Sequence, residues 1–246
     1  MTEVLLCDAD GCLFPSEEPA FEASAAITNR FLAEIGAAAR FTAEELRLAT
    51  TGQNFRTTAQ ALAAAEGRAV DPELLERWVE AERREVTAHL GKVLRPDPRV
   101  IEPLERLAAA GHALAVVSSS AMPRIEACLR ATGLDGLFPP QSRFSAESSL
   151  PVPASKPDPA VYLHAMRRLG PAPPGALAVE DSVPGALAAV DAGCRTIGNV
   201  MFVPPAERAE RAAALECAGV AEVISSWEEL EALVEASGPA RVGAVP

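Results

Sequence analysis

The sequence predicts an α/β fold in which a parallel sheet carries helices on both faces and an inserted helical domain interrupts the chain near its start. Apolar segments of strand length alternate with amphipathic helical segments along most of the chain, a pattern typical of parallel sheets. Between residues 15 and 94 the strand signal disappears and only helical patterns remain. The predicted core therefore comprises residues 1–14 and 95–246, and the predicted insert comprises residues 15–94.

The core elements are predicted in chain order from these patterns. Strands are expected at about 3–8, 113–118, 176–180, 194–198 and 221–224, and helices are expected to begin near 97, 121, 158, 183 and 226. Asp97 and Asp158 each place a side-chain acceptor before a proline at the first helical position, and Ser226 with Glu229 forms a capping box. These helix starts are well specified.

The insert is predicted to contain four amphipathic helices. They are expected at about 18–36, 42–49, 54–66 and 72–91. The last of them places four apolar side chains close to one stripe, namely Leu75, Val79, Val86 and Leu90. Prolines at 15 and 96 stiffen the two crossings between insert and core.

The composition of the chain disfavours several classes of protein and of binding partner. With 246 residues, 49% of them hydrophobic, the chain can bury a full core, and it shows neither a membrane-length apolar run nor a signal-peptide pattern, so we expect a cytoplasmic protein. Five cysteines without metal-type spacing argue against a disulfide framework and a zinc site. A net charge of −12 disfavours nucleic acid and anionic membranes as partners, but a small anionic substrate is compatible with it if magnesium and a few cations offset the acids.

Two aspartates follow the first predicted strand, in residues 4–11, VLLCDADG. Open parallel sheets build their ligand sites at the carboxyl ends of strands. Asp8, held at the strand end, is the candidate nucleophile toward phosphorus, and Asp10 can protonate the leaving alkoxide and then accept a proton from water. A magnesium ion bound by the Asp8 carboxylate and the Asp10 carbonyl would let the two acids differ in protonation. An acidic turn without function is the alternative.

Polar side chains also follow the second predicted strand, and a lysine precedes the helix that is expected to begin near 158. Ser118, with Ser119 and Ser120 beside it, can hold phosphoryl oxygens at a helix start, although helix capping is an alternative role for the three serines. Lys156 is one of only two lysines, and its ammonium suits both a phosphoryl group and the carboxylate of Asp8. A solvated loop lysine is the alternative.

Glu180 and Asp181 follow the predicted strand at 176–179. Carboxylate oxygens at this strand end, together with that of Asp8, predict a magnesium site, because magnesium prefers hard oxygen ligands. Asp181 is the preferred direct ligand, and Glu180 binds either directly or through water. A helix cap is the alternative interpretation of this pair.

Taken in order, these four motifs resemble those of the haloacid dehalogenase-like (HAD) phosphohydrolase superfamily, over residues 4 to about 223. The resemblance implies a Rossmann-like three-layer core, dependence on Mg²⁺ and a route through an aspartyl-phosphate. The insert resembles the small helical cap of the branch that contains phosphoglycolate phosphatase-like, sugar-phosphate phosphatase-like and beta-phosphoglucomutase-like proteins.

Residues 51–56, TGQNFR, resemble the substrate-specificity turn of that branch. The resemblance implies that Gly52 and Arg56 contact the substrate, with Arg56 meeting a second anionic group. A solvated arginine at a helix start is the alternative. The sequence departs from the branch at Pro15, where many relatives carry an acidic residue, and its 154–157 segment resembles that of the mutase-like members.

The leading hypothesis from sequence is a magnesium-dependent phosphatase that hydrolyses a small phosphate monoester, with a sugar phosphate as one candidate. A beta-phosphoglucomutase-like phosphosugar mutase is the first alternative, and a non-catalytic module that binds a phosphate ester is the second. The expected partner is a small phosphorylated metabolite. The oligomeric state stays open, with a monomer among the alternatives.

Overall fold

The structure of the chain, a computed structural model, describes residues 4–50, 54–170 and 176–237. Six strands in these residues form one sheet in the order β3-β2-β1-β4-β5-β6, and every neighbouring pair is parallel. The strands are β1 (Val4–Cys7), β2 (Ala113–Ser118), β3 (Arg143–Ser145), β4 (Ala176–Glu180), β5 (Arg195–Asn199) and β6 (Glu222–Ile224). The predicted α/β class with a parallel sheet is confirmed.

The same described residues contain ten α-helices. They are α1 (Glu17–Glu34), α2 (Ala43–Thr50), α3 (Phe55–Ala65), α4 (Pro72–Val93), α5 (Pro98–Ala109), α6 (Met122–Thr132), α7 (Ala160–Leu169), α8 (Val183–Asp191), α9 (Arg208–Cys217) and α10 (Trp227–Ser237). Across the described ranges, no helix combines the length and the apolar character that a bilayer crossing requires.

Residue contacts divide the chain into two compact units, Met1–Pro15 with Arg95–Pro246 and Ser16–Leu94. The predicted insert, 15–94, differs from the second unit by one residue at its start. In that unit α1 packs against α2, α3 and α4, and Phe31 of α1 belongs to an apolar cluster that includes side chains of α3 and α4. The catalytic role of the first unit and the cap role of the second stay predictions.

The central strand β1 is buried on both sides. Leu5 and Leu6 point to opposite faces of the sheet, and both have no exposed surface, so helices cover both faces. Helices α7 and α8 cover the Leu6 face through a cluster of mostly small side chains. Cys7 pairs in register with Val116 of β2 and Val179 of β4, so the carboxyl ends of the three strands lie side by side.

The structure differs from the sequence predictions in a few elements. Strand β3 and helix α9 were not predicted, because a three-residue strand is too short to show a period and α9 carries a weakly apolar face. Helix α7 begins at Ala160, one residue after the expected proline, yet the Asp158 side chain still accepts a hydrogen bond of 2.9 Å from the Ala160 amide. Cys194, expected within a strand, precedes β5.

Candidate active site

The polypeptide turns sharply directly after β1 and brings its two aspartates to the sheet edge. The Asp8 amide donates a hydrogen bond of 2.9 Å to the Val179 carbonyl, which extends the β1–β4 pairing by one residue. Gly11 then adopts a φ of +78°, and a Cβ on it would lie 3.0 Å from Asp181 Cγ and closer still to a carboxylate oxygen. Glycine is therefore required by its conformation and by the close approach of Asp181.

Lys156 is the centre of a buried ion cluster. Its Nζ lies 2.5 Å from Asp8 Oδ1, 2.5 Å from Glu180 Oε1 and 2.7 Å from the Val117 carbonyl oxygen, and its side chain is only 5% exposed. These three acceptors match the three protons of the ammonium group. The Lys156 amide also donates to Ser119 Oγ at 3.1 Å. The loop that carries the lysine is thus tied to the ends of three strands.

Tyr162, which the sequence analysis did not single out, completes this cluster. Its hydroxyl donates a hydrogen bond of 2.5 Å to Glu180 Oε1, and Lys156 Nζ lies 5.1 Å from the centre of its ring. The Glu180 carboxylate also packs so closely against Gly185 of α8 that a Cβ there would overlap it. A single tyrosine in the chain, on the apolar face of a helix that follows the lysine motif, is the signal that sequence offered.

Burial dominates the electrostatics of the cluster. It raises the pKa of Asp8 to about 7, with Lys156 opposing the rise and Glu180 adding to it. Burial also disfavours the charge of Lys156, but the carboxylates of Asp8 and Glu180 outweigh it and raise the lysine pKa. The pKa of Tyr162 is raised by burial and then by Glu180, so its hydroxyl stays a donor.

Three carboxylates meet at the ends of β1 and β4. Asp8, Glu180 and Asp181 each offer an oxygen, and the three oxygens lie within 4.8 Å of one another. Arg211 of α9 donates a hydrogen bond of 2.8 Å to the Asp181 carbonyl and so fixes the backbone beside this group. An all-oxygen, buried and anionic donor set fits a hard divalent cation such as Mg²⁺. Three of the four residues predicted to bind the metal therefore lie close together in the fold.

The carboxylate of Asp10 faces a different set of partners. Ser120 Oγ donates to Asp10 Oδ2 at 2.6 Å, and Arg124 Nη2 donates to Asp10 Oδ1 at 2.8 Å. Only the Asp10 carbonyl was predicted as a metal ligand, and that assignment stays a prediction. Sequence reasoning missed Arg124. Its signal was a basic residue in the first helical turn, where the positive end of the helix disfavours a second positive charge unless an anion lies nearby.

The serines after β2 make hydrogen bonds within the site loops. Ser118 is 2% exposed, and its Oγ accepts a hydrogen bond of 3.1 Å from the Ser120 amide, while Ser119 Oγ accepts from the Lys156 amide. The residue at the N-cap of α6 is Ala121, which has no side-chain cap bond. Simple capping by the serine trio is therefore not what the structure describes, and phosphate binding by Ser118 and Ser119 stays a prediction.

The two predicted substrate contacts in the insert have different outcomes. Gly52 lies in residues 51–53, outside the described residues. Arg56 is exposed at the start of α3 and forms two hydrogen bonds with the Glu76 carboxylate, one of them 2.8 Å long. A substrate anion would have to compete with Glu76 for this guanidinium, so substrate binding by Arg56 stays a prediction.

The chain matches one family model and is similar to two curated proteins. A family model described as haloacid dehalogenase-like hydrolase matches residues 2–193. A phosphoglycolate phosphatase of Haemophilus influenzae (strain 86-028NP) is 37% identical over 110 residues, which are 45% of this chain and 47% of that protein. A phosphoglycolate phosphatase of Pasteurella multocida (strain Pm70) is 38% identical over 101 residues, 41% of this chain and 43% of that protein. The chain thus spans about half the length of the curated relatives it matches.

Solved structures resemble the chain over almost its full length. A HAD family hydrolase from Deinococcus radiodurans R1, solved with bound phosphate and sodium, is 28% identical, covers 96% of each chain and has a TM-score of 0.68. CbbY from Rhodobacter sphaeroides, solved in complex with phosphate, is 28% identical over 94% of this chain and 96% of its own, with a TM-score of 0.71. Both share the fold, and both were solved with phosphate.

Proposed function

The chain belongs to the haloacid dehalogenase-like hydrolase family, and we propose that it is a magnesium-dependent phosphatase that hydrolyses a small phosphate monoester through an aspartyl-phosphate on Asp8. The single observation that carries the proposal is the convergence of Asp8, Lys156 and Asp181 at one sheet edge, with Lys156 Nζ 2.5 Å from Asp8 and the carboxylates of Asp8 and Asp181 in one group. A nucleophile, a cation and a metal-binding set in such proximity are the parts that phosphoryl transfer requires.

Asp8 and Asp181 would hold the metal ion, with Glu180 as a further oxygen donor next to them. When bound, Mg²⁺ supplies positive charge that offsets the acids and the phosphoryl group. Glu180 contacts Lys156 and Tyr162 through Oε1, and its Oε2 accepts a hydrogen bond of 3.5 Å from Ser182 Oγ, so a contact of Glu180 with the ion, direct or through water, would share an oxygen with these donors. The all-oxygen composition of the group supports magnesium over a softer metal.

The first half-reaction forms one bond and breaks another. An oxygen of Asp8 attacks phosphorus, the bond from phosphorus to the ester oxygen breaks, and the departing alkoxide takes a proton from the Asp10 carboxyl. Lys156 offsets the negative charge that spreads over the phosphoryl oxygens. Lys156 also favours the ionised, reactive form of Asp8 and so opposes burial, which raises the pKa of this carboxyl to about 7.

The second half-reaction returns the groups to their starting state. A water molecule attacks the phosphorus of the aspartyl-phosphate and gives its proton to Asp10, and the Asp8 carboxylate leaves as inorganic phosphate forms. The proton that Asp10 lost in the first step is thereby restored. The hydroxyls of Ser118 and Ser119 lie at the end of β2, where they can hold phosphoryl oxygens in both steps.

The names of the relatives support the proposed substrate class. Two curated relatives are phosphoglycolate phosphatases, and two related structures were solved with phosphate. Their names support a small phosphorylated metabolite as substrate for this chain as well. A sugar phosphate and phosphoglycolate are the first esters to test.

Phosphate release should be measured across sugar phosphates, phosphoglycolate and nucleotides, with Mg²⁺ and with a chelator in its place. We expect turnover of at least one ester with Mg²⁺ and its loss with the chelator. Asp8→Asn should reduce turnover to background, because an amide cannot form the acyl phosphate. Asp135→Asn, which makes the same change at an exposed position, is the matched control and should retain full activity.

The same panel separates the alternatives from sequence. Full turnover by Asp8→Asn would overturn the assignment of the nucleophile. Incubation with a hexose phosphate and its bisphosphate that yields the isomer without free phosphate would replace the phosphatase by a mutase. Saturable binding of an ester without any turnover would replace it by a binding module.

A further inference from the structure

Asp10 is held by two side chains that the proposed chemistry does not otherwise use. Both oxygens of its carboxylate accept hydrogen bonds, Oδ1 from Arg124 Nη2 at 2.8 Å and Oδ2 from Ser120 Oγ at 2.6 Å. The side chains of Asp10 and Arg124 are 22% and 26% exposed, so water screens this ion pair less than it screens a surface pair. The orientation of the carboxylate is therefore fixed from two directions.

The two donors come from one short stretch of chain at the end of β2. Ser120 precedes α6, and Arg124 is the third residue of that helix. The two residues are four apart, so they reach the same target from one side of the helix start. The positive end of the helix axis adds to the charge of Arg124 and favours an anion at this place. Both of these donors to Asp10 thus come from α6 and the loop that leads into it.

We propose that Arg124 is a positioning residue for the acid/base step, and that its guanidinium, together with the Ser120 hydroxyl, fixes the Asp10 carboxyl in the orientation required for proton transfer to the leaving group. The inference rests on the proposed function, because it assumes that Asp10 is the acid. Arg124 acts through Asp10 and contacts no reacting atom.

Because the two donors differ in chemistry, the two carboxylate oxygens of Asp10 have different roles. A guanidinium has only donors, so Oδ1 beside Arg124 stays an acceptor. A hydroxyl can donate or accept, so Ser120 can donate to Oδ2 when Asp10 is ionised and accept from it when Asp10 carries a proton. Oδ2 is therefore the oxygen that can carry the proton of Asp10. Without Arg124 the carboxyl can rotate, and its correct orientation is populated for less of the time.

A comparison of leaving groups tests this inference. A nitrophenolate leaves without being protonated, whereas the alkoxide of an alkyl phosphate needs a proton as it departs. Arg124→Met keeps a long side chain but removes the guanidinium. We expect its kcat/KM on glucose 6-phosphate or phosphoglycolate, whichever the unaltered chain hydrolyses, to fall roughly 10- to 100-fold, because kcat/KM reports only the steps up to departure of the leaving group. On p-nitrophenyl phosphate its kcat/KM should stay within about 3-fold of that of the unaltered chain.

Three further variants complete the design. Arg130→Met removes an arginine from the same helix, at an exposed position paired with Glu126, and should leave both activities unchanged. Arg124→Lys, which keeps a cation, should recover part of the loss on the alkyl phosphate. Ser120→Ala should show the same selectivity for the alkyl phosphate in a smaller degree, and it tests the inference even if Arg124→Met does not fold.

The outcomes are distinct. An equal loss of kcat/KM on both leaving groups would assign Arg124 to fold maintenance or to substrate binding and would overturn the inference. Absence of turnover by the unaltered chain on both substrates with Mg²⁺ would instead overturn the proposed function, and the inference with it. A loss confined to the alkyl phosphate, with partial recovery by lysine, is the expected result.

Discussion

Tyr162 donates a hydrogen bond of 2.5 Å to Glu180 Oε1, the same oxygen that contacts Lys156 Nζ. Glu180 has no exposed surface, so its charge depends for stabilisation on these two donors and on Ser182 Oγ, which lies 3.5 Å from Oε2. The tyrosine thereby holds the carboxylate that in turn holds the lysine. A residue on the apolar face of α7 is thus part of the structural support of the candidate active site.

Removal of the Tyr162 hydroxyl should destabilise the fold. Phe keeps the ring and its contact with Lys156, so Tyr162→Phe isolates the hydrogen bond to the buried carboxylate. Hydrogen bonds to charged groups contribute about 1.5–3 kcal/mol, and we expect the free energy of unfolding in urea to fall by that amount. Phosphatase turnover should fall as well, because Glu180 then holds Lys156 less rigidly. An unchanged unfolding midpoint would contradict this role for Tyr162.

Replacement of Lys156 should be more damaging. Lys156→Met leaves Asp8 and Glu180 buried without their cation, and removal of one partner from a buried ion pair costs about 3–5 kcal/mol. We expect a loss of this size in the free energy of unfolding, together with loss of phosphatase turnover. Lys92→Met is the matched control, because Lys92 is the other lysine of the chain and is exposed on α4. Its unfolding free energy should change by less than about 0.5 kcal/mol.

Gly11 offers a second matched comparison. Gly11→Ala places a Cβ against the Asp181 carboxylate at a φ of +78°, whereas Gly111→Ala meets no atom within 4 Å at a φ of +95°. Both variants carry the conformational cost of a left-handed alanine, about 1–2 kcal/mol. Only Gly11→Ala should also lose Mg²⁺-dependent turnover, because Asp181 must move. Full activity in Gly11→Ala would show that the carboxylate of Asp181 can shift without consequence.

The parts of the fold that sequence predicted correctly have strong local signals. Asp97 was expected to cap a core helix, and its Oδ1 accepts a hydrogen bond of 2.9 Å from the Arg99 amide at the start of α5. Strand β1 was expected from an apolar run that ends in polar residues. Strand β3 was missed, because its three residues pair only with β2 and their strand character depends on that neighbour.

Residues of the candidate site also differ in whether a local sequence signal could predict their position. Asp8, Lys156 and Asp181 could be predicted to converge, because parallel strands align their carboxyl ends and each of these residues follows such an end or a helix start near it. Tyr162 and Arg124 lie within helices, and their contacts depend on how each helix packs against the sheet. No local pattern specifies that packing. Their contacts could therefore be identified only from the three-dimensional structure.

The ion cluster contains more negative than positive charge, and this makes the stability of the metal-free chain depend on pH. Asp8 and Glu180 share the single cation Lys156, and Asp181 lies beside them. The raised pKa of Asp8, about 7 in the folded chain against 3.8 as the ordinary value, means that the folded state holds a proton that the unfolded state releases. Stability should therefore fall as pH rises from about 4 to about 7.

Asp8→Asn should remove this dependence while it abolishes turnover. In metal-free buffer at pH 8 we expect the variant to be more stable than the unaltered chain, on the order of 2 kcal/mol, because the neutral amide leaves Lys156 paired with Glu180 alone. The difference should shrink as the pH is lowered to 4, where Asp8 is protonated in the folded chain. Saturating Mg²⁺ should also close the gap, because an ion that binds the folded state through Asp8 stabilises only the unaltered chain.

Thermal and urea unfolding at pH 4, 6 and 8, with a chelator and with Mg²⁺, measure both effects. Asp135→Asn is the control, since it changes an exposed carboxylate to an amide away from the cluster and should follow the unaltered chain at every pH. A metal-free Asp8→Asn protein that is less stable than the unaltered chain at pH 8 would mean that Asp8 stabilises the fold. The acids would then be balanced without a metal ion, and the cluster would not require one.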